Sequence, residues 1–471
     1  MATPDAAMAF IENRTFDEIA LGDAATLTRP LNLSDIALFA VASGDVNPTH
    51  VDAEFAATSR FHHVVAHGMW GASLISAVLG TRLPGPGAVY VSQSLRFERP
   101  VAPGDVVTAR VEVIRREPAG RRLTLACACV NDRGETVISG VAEVIAPAEK
   151  VRRPRAILPE VHLHEHGAWR RRLLAATRDL PPVSTAVIHP CDAASISGAM
   201  EAKRLGVILP ILVGPAAKIR AAAEAAGVSL DGAEIVDAPH SHAAAEAAVA
   251  LVRDGRAAAL MKGALHTDEV MSAVVTRDGG LRTERRMSHV FVLDVPTYPK
   301  PLLITDAAIN IAPDIEAKRD IVQNALDLAR ALGVETPKAA ILSAVESVDV
   351  KIPSTVDAAA LCKMAERGQI TGGLLDGPLA FDNAVSRAAA AAKGVVSAVA
   401  GDADILVAPD LEAGNMIAKQ LTYLAGAESA GVVLGARVPI MLTSRADGPM
   451  SRLASAALAQ LYAHWRAGVR R

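Results

Sequence analysis

VVAHGMWGASLISAVLGT, residues 64 to 81, carries no charge, and the architecture of the first third of the chain turns on whether it spans a membrane or fills a core. Its length alone satisfies the rule for a membrane span. Three glycines, two serines and a histidine argue against that, and so do the strands beyond it. In AVYVSQSLRF (88–97), Val89, Val91, Leu95 and Phe97 share one face while Ser92, Ser94 and Arg96 take the other, the period of a strand. VVTARVEVI, RLTLACACV and ETVISGVAEVI repeat the pattern, separated by the turn-like EPAG and NDRG. A helix apolar on all sides, succeeded by consecutive antiparallel strands, predicts an α+β unit whose sheet curls round the helix and ends near Ala148.

A chain of 471 residues is too long for one core, so further domains are expected. Half of it is hydrophobic (51%), yet aromatics are only 3%, which suits alanine-rich helices packed on sheets. Lys plus Arg (48) nearly balances Asp plus Glu (51), leaving a formal charge of −3. No strong field is present to draw nucleic acid or an acidic membrane surface. Four cysteines do not make a disulfide framework: Cys127 and Cys129 share a strand face, and Cys191 and Cys362 stand apart. With no C-x-x-C pair, no metal site is expected, and a reduced, cytoplasmic compartment is. The opening MATPDAAMAFIENRTFDE has no basic start leading into an apolar run, so it does not read as a signal peptide.

Residues 149–180 read as a charged, proline-bearing linker and then a short helix. The arginine runs at 152, 153, 155 and 170–172 fit a solvated hinge. His162, His164 and His166 alternate there without a nearby cysteine or acidic partner, so they do not read as a metal site. From 181 to 471, short aliphatic runs (TAVIHP, GVILPILVG, AAALMKG, HVFVLDV, PLLITDA, AAILSAV, ILVAPD, GVVLG) alternate with helical stretches such as PDIEAKRDIVQNALDLARALG. That alternation predicts a mostly parallel α/β domain, long enough for two subdomains with a cleft between them.

SGDVNPTHVD (43–52) sets Asp45 and His50 five positions apart on either side of Asn-Pro. One reading is a helix start, with Asn47 as N-cap and Pro48 in the first turn. The other is an acid/base pair. His50 would fall at the third helical position, where the positive helix end favours a neutral imidazole that accepts a proton. Asp45, just outside the cap, would face the same water. Gly68, opening the helix after His67, would let a carbonyl oxygen approach its backbone N–H.

S-G-D-V-N-P-T-H, with V-V-A-H-G-M after it, resembles the MaoC-like, (R)-specific enoyl-CoA hydratase family of hot-dog fold, over roughly residues 15–147, with RFERPVAPGDVV within it. The resemblance implies that Asp45 and His50 activate water for syn addition to a trans-2-enoyl-CoA, giving the (R)-3-hydroxyacyl-CoA. It implies that Asn47 supports the loop and that the Gly68 N–H binds the thioester oxygen. Hot-dog domains host several thioester reactions, so dehydratase and thioesterase readings stay open.

The second domain lacks the phosphate loop, the dinucleotide fingerprint and the nucleophile elbow. It has instead polar clusters after strand candidates: MKGALHTDE, ITDAAINIAPD, LLDGPLAFDNA, VAPDLEAGN and MLTSRADG. Together these resemble the phosphate acetyltransferase/phosphate butyryltransferase family over about residues 183–465. P-D-L-E-A-G-N carries Glu412 where that family has Asn. The resemblance implies a two-subdomain α/β fold, the second subdomain spanning about 291–430, that exchanges acyl-CoA plus phosphate for acyl phosphate plus CoA. Arg445 would fork the phosphate and Ser444 would donate to the tetrahedral centre. Lys262, His266, Thr267, Arg286, Asn310, Asp410 and Asn415 would line the substrates. The acetyl branch has a carboxylate seven residues after its serine as thiol base. Ser451 stands there in this chain, and the nearest carboxylate is Asp447. HTDEVMSAV also lacks that branch's arginine, for which Lys262, Arg282 or Arg286 would substitute. Both departures lean toward the butyryl branch. They also leave an alternative open, in which an active hydratase or dehydratase is fused to a non-catalytic CoA-binding or assembly module. Neither half calls for a cofactor beyond its acyl-CoA and phosphate substrates, and a homodimer or larger homo-oligomer is expected.

Overall fold

The computed structural model describes residues 10–159, 161, 163–442 and 448–468. These form two compact units, 1–163 and 164–471.

In the first unit, five antiparallel strands pair in the order Ala24–Pro30, Val106–Glu117, Arg122–Asn131, Thr136–Ile145, Val89–Phe97. The helix Gly68–Thr81 lies against them and buries Trp70, Gly71, Ala72, Leu74, Ile75, Val78 and Leu79. Each large aliphatic side chain among these contributes about 1.5–3 kcal/mol. Among the described residues, no helix is long and apolar enough to cross a membrane. This is the hot-dog arrangement of a sheet curled round one helix. The strand Val89–Phe97 departs from the expected alternation. It is an edge, its register shifts between Tyr90 and Ser92, and Val89, Val91 and Phe97 are exposed. An apolar edge of this kind is open to pairing.

The expected linker is partly absorbed into the two units. Arg152–Pro154 pairs antiparallel with Phe10–Glu12, and Arg152 lies over the Phe10 ring. The helix Ala168–Ala175 buries Trp169 and Leu173 in the core of the second unit, and Arg170 pairs with Glu428 at 3.3 Å. Arg152 and Arg170 thus have specific contacts, while Arg153, Arg155, Arg171 and Arg172 are exposed, as expected of a solvated connector.

An eleven-stranded sheet runs through the second unit. One half has the order Glu234–Asp237, Ile208–Gly214, Val183–Ile188, Ala259–Lys262, Ile440–Met441. The other continues Glu428–Leu434, Ser288–Asp294, Leu302–Thr305, Ile405–Val407, Lys338–Leu342, Leu374–Leu379. The outer strands are parallel, but Ser288–Asp294 is antiparallel to both its neighbours, and Glu428–Leu434 to Ile440–Met441. The chain between Asp294 and Leu302, and between Leu434 and Ile440, is too short for a parallel crossover. Ile440–Met441 returns the chain to the first half by pairing with Ala259–Lys262.

Candidate active sites

In the first unit, Gly44 ends the helix Leu33–Ser43 in the left-handed region (φ 75°) and turns the chain so that Asp45 leaves it at once. The Asn47 N–H donates to Asp45 Oδ1 (3.1 Å), and Asn47 Oδ1 accepts from the Thr49 N–H (3.1 Å). Asn47 is thus both N-cap and brace, and the two readings of this stretch hold together. The helix it caps, Pro48–Val51, is a single turn, too short for a macrodipole to govern His50. A hydrogen bond does so instead: His50 Nδ1 lies 2.8 Å from the Val65 carbonyl oxygen, which only accepts. The proton therefore sits on Nδ1 and leaves Nε2 bare, in the form a general base needs.

His67, whose neighbour Gly68 alone stood out in the sequence, completes the group. Ligating atoms of Asp45, His50 and His67 lie within 4.8 Å of one another. The His50 and His67 rings stack with centroids 4.1 Å apart and planes 35° apart. Rings so stacked point their in-plane lone pairs side by side more than toward one point, which suits proton handling better than metal ligation. His50, His67 and Gly68 line a cavity of about 240 Å³, otherwise walled largely by Phe61, Val65, Trp70, Phe97, Val101 and Ile138. Gly68 is the first residue of its helix, so its N–H has no partner within that helix.

In the second unit, a cavity of about 470 Å³ is lined by four arginines, Arg282, Arg285, Arg286 and Arg319, and four carboxylates, Glu284, Asp314, Glu316 and Asp320, together with Asn310. Arg285 is paired with Asp327 (2.5 Å) and Arg319 with Asp320 (3.0 Å). Arg286 Nε donates to an amide, Asn310 Oδ1 (2.8 Å), which leaves its charge uncancelled at that contact. Asn310 is held in turn by Asp306, a buried carboxylate that accepts from the backbone N–H groups of His289, Ala308, Ile309 and Asn310 and from Asn310 Nδ2. The PDLEAGN loop locks onto this turn. Asn415 Nδ2 donates to the Ala307 carbonyl (3.0 Å), and a Cβ on Gly414 would come within 2.4 Å of the Asp306 carbonyl oxygen. Only glycine fits there.

Residues 240–460 match the family described as phosphate acetyl/butaryl transferase, and residues 20–124 match the MaoC like domain. The phosphate acetyltransferase of Rhizobium meliloti is 64% identical over 292 residues, which are 62% of this chain and 92% of that protein. The chain belongs to the phosphate acetyl/butyryl transferase family. Its first unit is a MaoC-like domain. The phosphate butyryltransferase of Clostridium acetobutylicum is 41% identical over 61% of this chain and 95% of that one. A crystal structure of a branched-chain phosphotransacylase from Enterococcus faecalis V583 is 29% identical, covering 60% of this chain and 99% of that chain, with a TM-score of 0.53.

Within that family fold the sequence candidates fall into separate places. Arg286 and Asn310 share the arginine-lined cavity, and Asn415 braces the adjoining turn. Asp410 accepts from the Ala413 N–H as the N-cap of Leu411–Tyr423. Lys262 is buried at the end of its strand, while His266 and Thr267 open the helix Thr267–Val275 and are exposed. None of these three lines the arginine cavity. Ser444, Arg445 and Asp447 lie outside the described residues, as does His162. His164 Nε2 is 3.9 Å from Asp294 Oδ2.

Asp306, Arg285 and Arg319 had no sequence signal of their own beyond the polar ITDAAIN cluster. Neither did His289, which is fully buried beside Asp306. Burial pushes the His289 imidazole down from 6.5 to about 4, partly opposed by the Asp306 carboxylate. Between those values the unfolded chain takes up a proton that the folded chain refuses. Stability therefore falls as pH drops from about 6.5 toward 4 and is fully present above that window. Urea unfolding of the second unit at pH 7, 6 and 5 should show this loss, and His289→Gln should flatten it. Parallel losses in both proteins would assign the acid sensitivity to other groups.

Proposed function

We propose that the chain joins two acyl-thioester activities. Its first unit hydrates trans-2-enoyl-CoA to (R)-3-hydroxyacyl-CoA, and its second exchanges a short acyl group between CoA and phosphate. The observation that carries the first half is the tautomer of His50. With Nδ1–H bound to Val65, the bare Nε2 takes a proton from water as the oxygen attacks C3. The displaced electron pair moves onto the thioester oxygen, beside the Gly68 N–H. The newly protonated His50 then returns that proton to C2, with the Asp45 carboxylate helping to hold the water. Dehydration is the same path in reverse.

The second half is supported by the 64% identity to an acetyltransferase, together with a cavity presenting several guanidinium groups. Phosphate attacks the acyl carbon, the tetrahedral oxygen takes a hydrogen bond, and the CoA thiolate leaves. We assign phosphate binding to Arg286 and Arg445 and the oxyanion contact to Ser444, the last two on sequence grounds. The stronger likeness to the acetyltransferase than to the butyryltransferase favours acetyl, against the lean taken from residue 451 and the HTDEVMSAV segment. Neither reaction as written requires a metal or an organic cofactor.

Titration of the thiol released from acetyl-CoA and from butyryl-CoA, with and without phosphate, tests this half. Release should require phosphate and be faster from acetyl-CoA. It should fall by about 10²–10³-fold in Ser444→Ala, the usual effect of removing one oxyanion donor. No release from either thioester by folded protein would overturn the transferase assignment and leave a binding module.

A further inference from the structure

His67 spends its side chain away from the helix it opens. It is the N-cap of Gly68–Thr81, yet it makes no capping hydrogen bond to that helix. Its Nε2 instead lies 3.0 Å from the backbone carbonyl oxygen of Asp45, across 22 residues of chain. A carbonyl only accepts, so Nε2 carries the proton. Nδ1 is then bare, and it is buried without a hydrogen-bond partner. A histidine held only by packing would not leave a polar atom in that state, because an unmatched buried acceptor is unfavourable. The ring also stacks on His50 at 4.1 Å and lies 5.1 Å from Phe39.

We propose that His67 is a positioning residue for hydration, fixing the Asp45 loop and backing the His50 ring. This inference rests on the hydratase reading. Asp45 is exposed, and its other hydrogen bonds are local, to Ser43 and Asn47. The bond to His67 is the one that ties the loop to the buried helix. One short segment, from Val65 to Gly68, then serves the whole reaction centre. The Val65 carbonyl orients His50, His67 holds Asp45, and the Gly68 N–H faces the thioester oxygen. Any shift of this segment moves base, carboxylate and oxyanion donor together, so their spacing is preserved.

Steady-state hydration of crotonyl-CoA by the full chain, as wild type, His67→Phe and His67→Gln, tests the inference. Phe keeps the ring and loses the donor, so kcat should fall by about 100-fold, the effect of a misplacement of about 1 Å. KM should stay within about threefold, because the interaction lost orients catalytic groups and does not bind substrate. Gln offers an amide N–H to the same carbonyl and should recover at least about tenfold of the loss. Should His67→Phe not fold, His67→Asn, one methylene shorter, takes its place in the comparison. A Phe variant with wild-type kcat, a loss confined to KM, or a Gln variant no better than Phe would each overturn the inference. Wild type that fails to hydrate crotonyl-CoA would overturn the hydratase reading itself, a separate result visible before any variant is made.

Discussion

His50→Gln should hydrate crotonyl-CoA about 10²–10⁴-fold more slowly than wild type, the range that a positioned general base supplies. The loss should appear in kcat, because the imidazole contributes to the transition state more than to ground-state binding. Gln can still donate to the Val65 carbonyl, so the local fold should survive; what it lacks is a basic nitrogen where Nε2 now stands. Asp45→Asn should show a loss of the same order while keeping an acceptor for the Asn47 N–H. If the two groups act on one water as a unit, the double variant should be little worse than either single one. Losses that multiply would mean separate tasks. Phosphate-dependent thiol release should be unchanged in all three, which separates loss of chemistry from loss of folded protein. A His50→Gln enzyme with wild-type kcat would remove the base assignment and, with it, the account of the first unit.

The hot-dog unit was legible because its signal is physical and local. A long uncharged stretch interrupted by small and polar residues cannot face lipid comfortably, and the strands behind it alternate with period two. Asp45 and His50 were legible for a similar reason, since a five-residue spacing round Asn-Pro brings them together in one tight turn. His67 was not, because its partner lies 22 residues back and only the turn of the chain brings the two together. The His-Gly pair at the helix start was the available signal, and the glycine alone explains its presence there.

In the second unit, the strands that hydrophobic patterning missed are Glu234–Asp237 and Leu374–Leu379, the two edges of the eleven-stranded sheet, and the two-residue Ile440–Met441 inside it. Edge strands are half-exposed and need no continuous apolar run, so the pattern is weakest where the sheet stops. The other inner strands were visible as aliphatic runs. What patterning could not convey was direction: short connections make two of the central pairings antiparallel, and the third joins Ser288–Asp294 to Glu428–Leu434 across a long stretch of chain. The arginine cavity was equally hidden: Arg282, Arg285 and Arg286 are neighbours in sequence, but Arg319 and Asn310 reach it from other segments.

That cavity rests on Asp306, and Asp306→Ala should be the most damaging single change in the second unit. Three of the five hydrogen bonds the carboxylate accepts are fully buried, from the His289 N–H, the Asn310 N–H and Asn310 Nδ2. Each buried donor left without a partner costs about 1–3 kcal/mol, so a loss of at least about 3 kcal/mol is expected. Function should suffer through a second route. Asn310 would lose its two bonds to Asp306 and keep only its donation to the Met287 carbonyl, so Arg286, which donates to Asn310, would have a looser anchor. Asp306→Asn and Arg286→Ala separate the two effects. With its oxygen at the Oδ1 position, Asn still accepts from His289, Ala308 and Ile309, but its own amide hydrogens face the two donors of Asn310. Much of the stability should therefore return while Asn310 stays displaced. Arg286→Ala touches no buried donor, so it should raise the KM for phosphate with little change in the urea midpoint. If Asp306→Asn binds phosphate as wild type does, or Arg286→Ala leaves the phosphate KM unchanged, the chain of contacts from Asp306 through Asn310 to Arg286 is not what holds the phosphate. The anion would then have to be bound by the other arginines of the cavity or by Arg445, and Asp306 would be a structural residue alone.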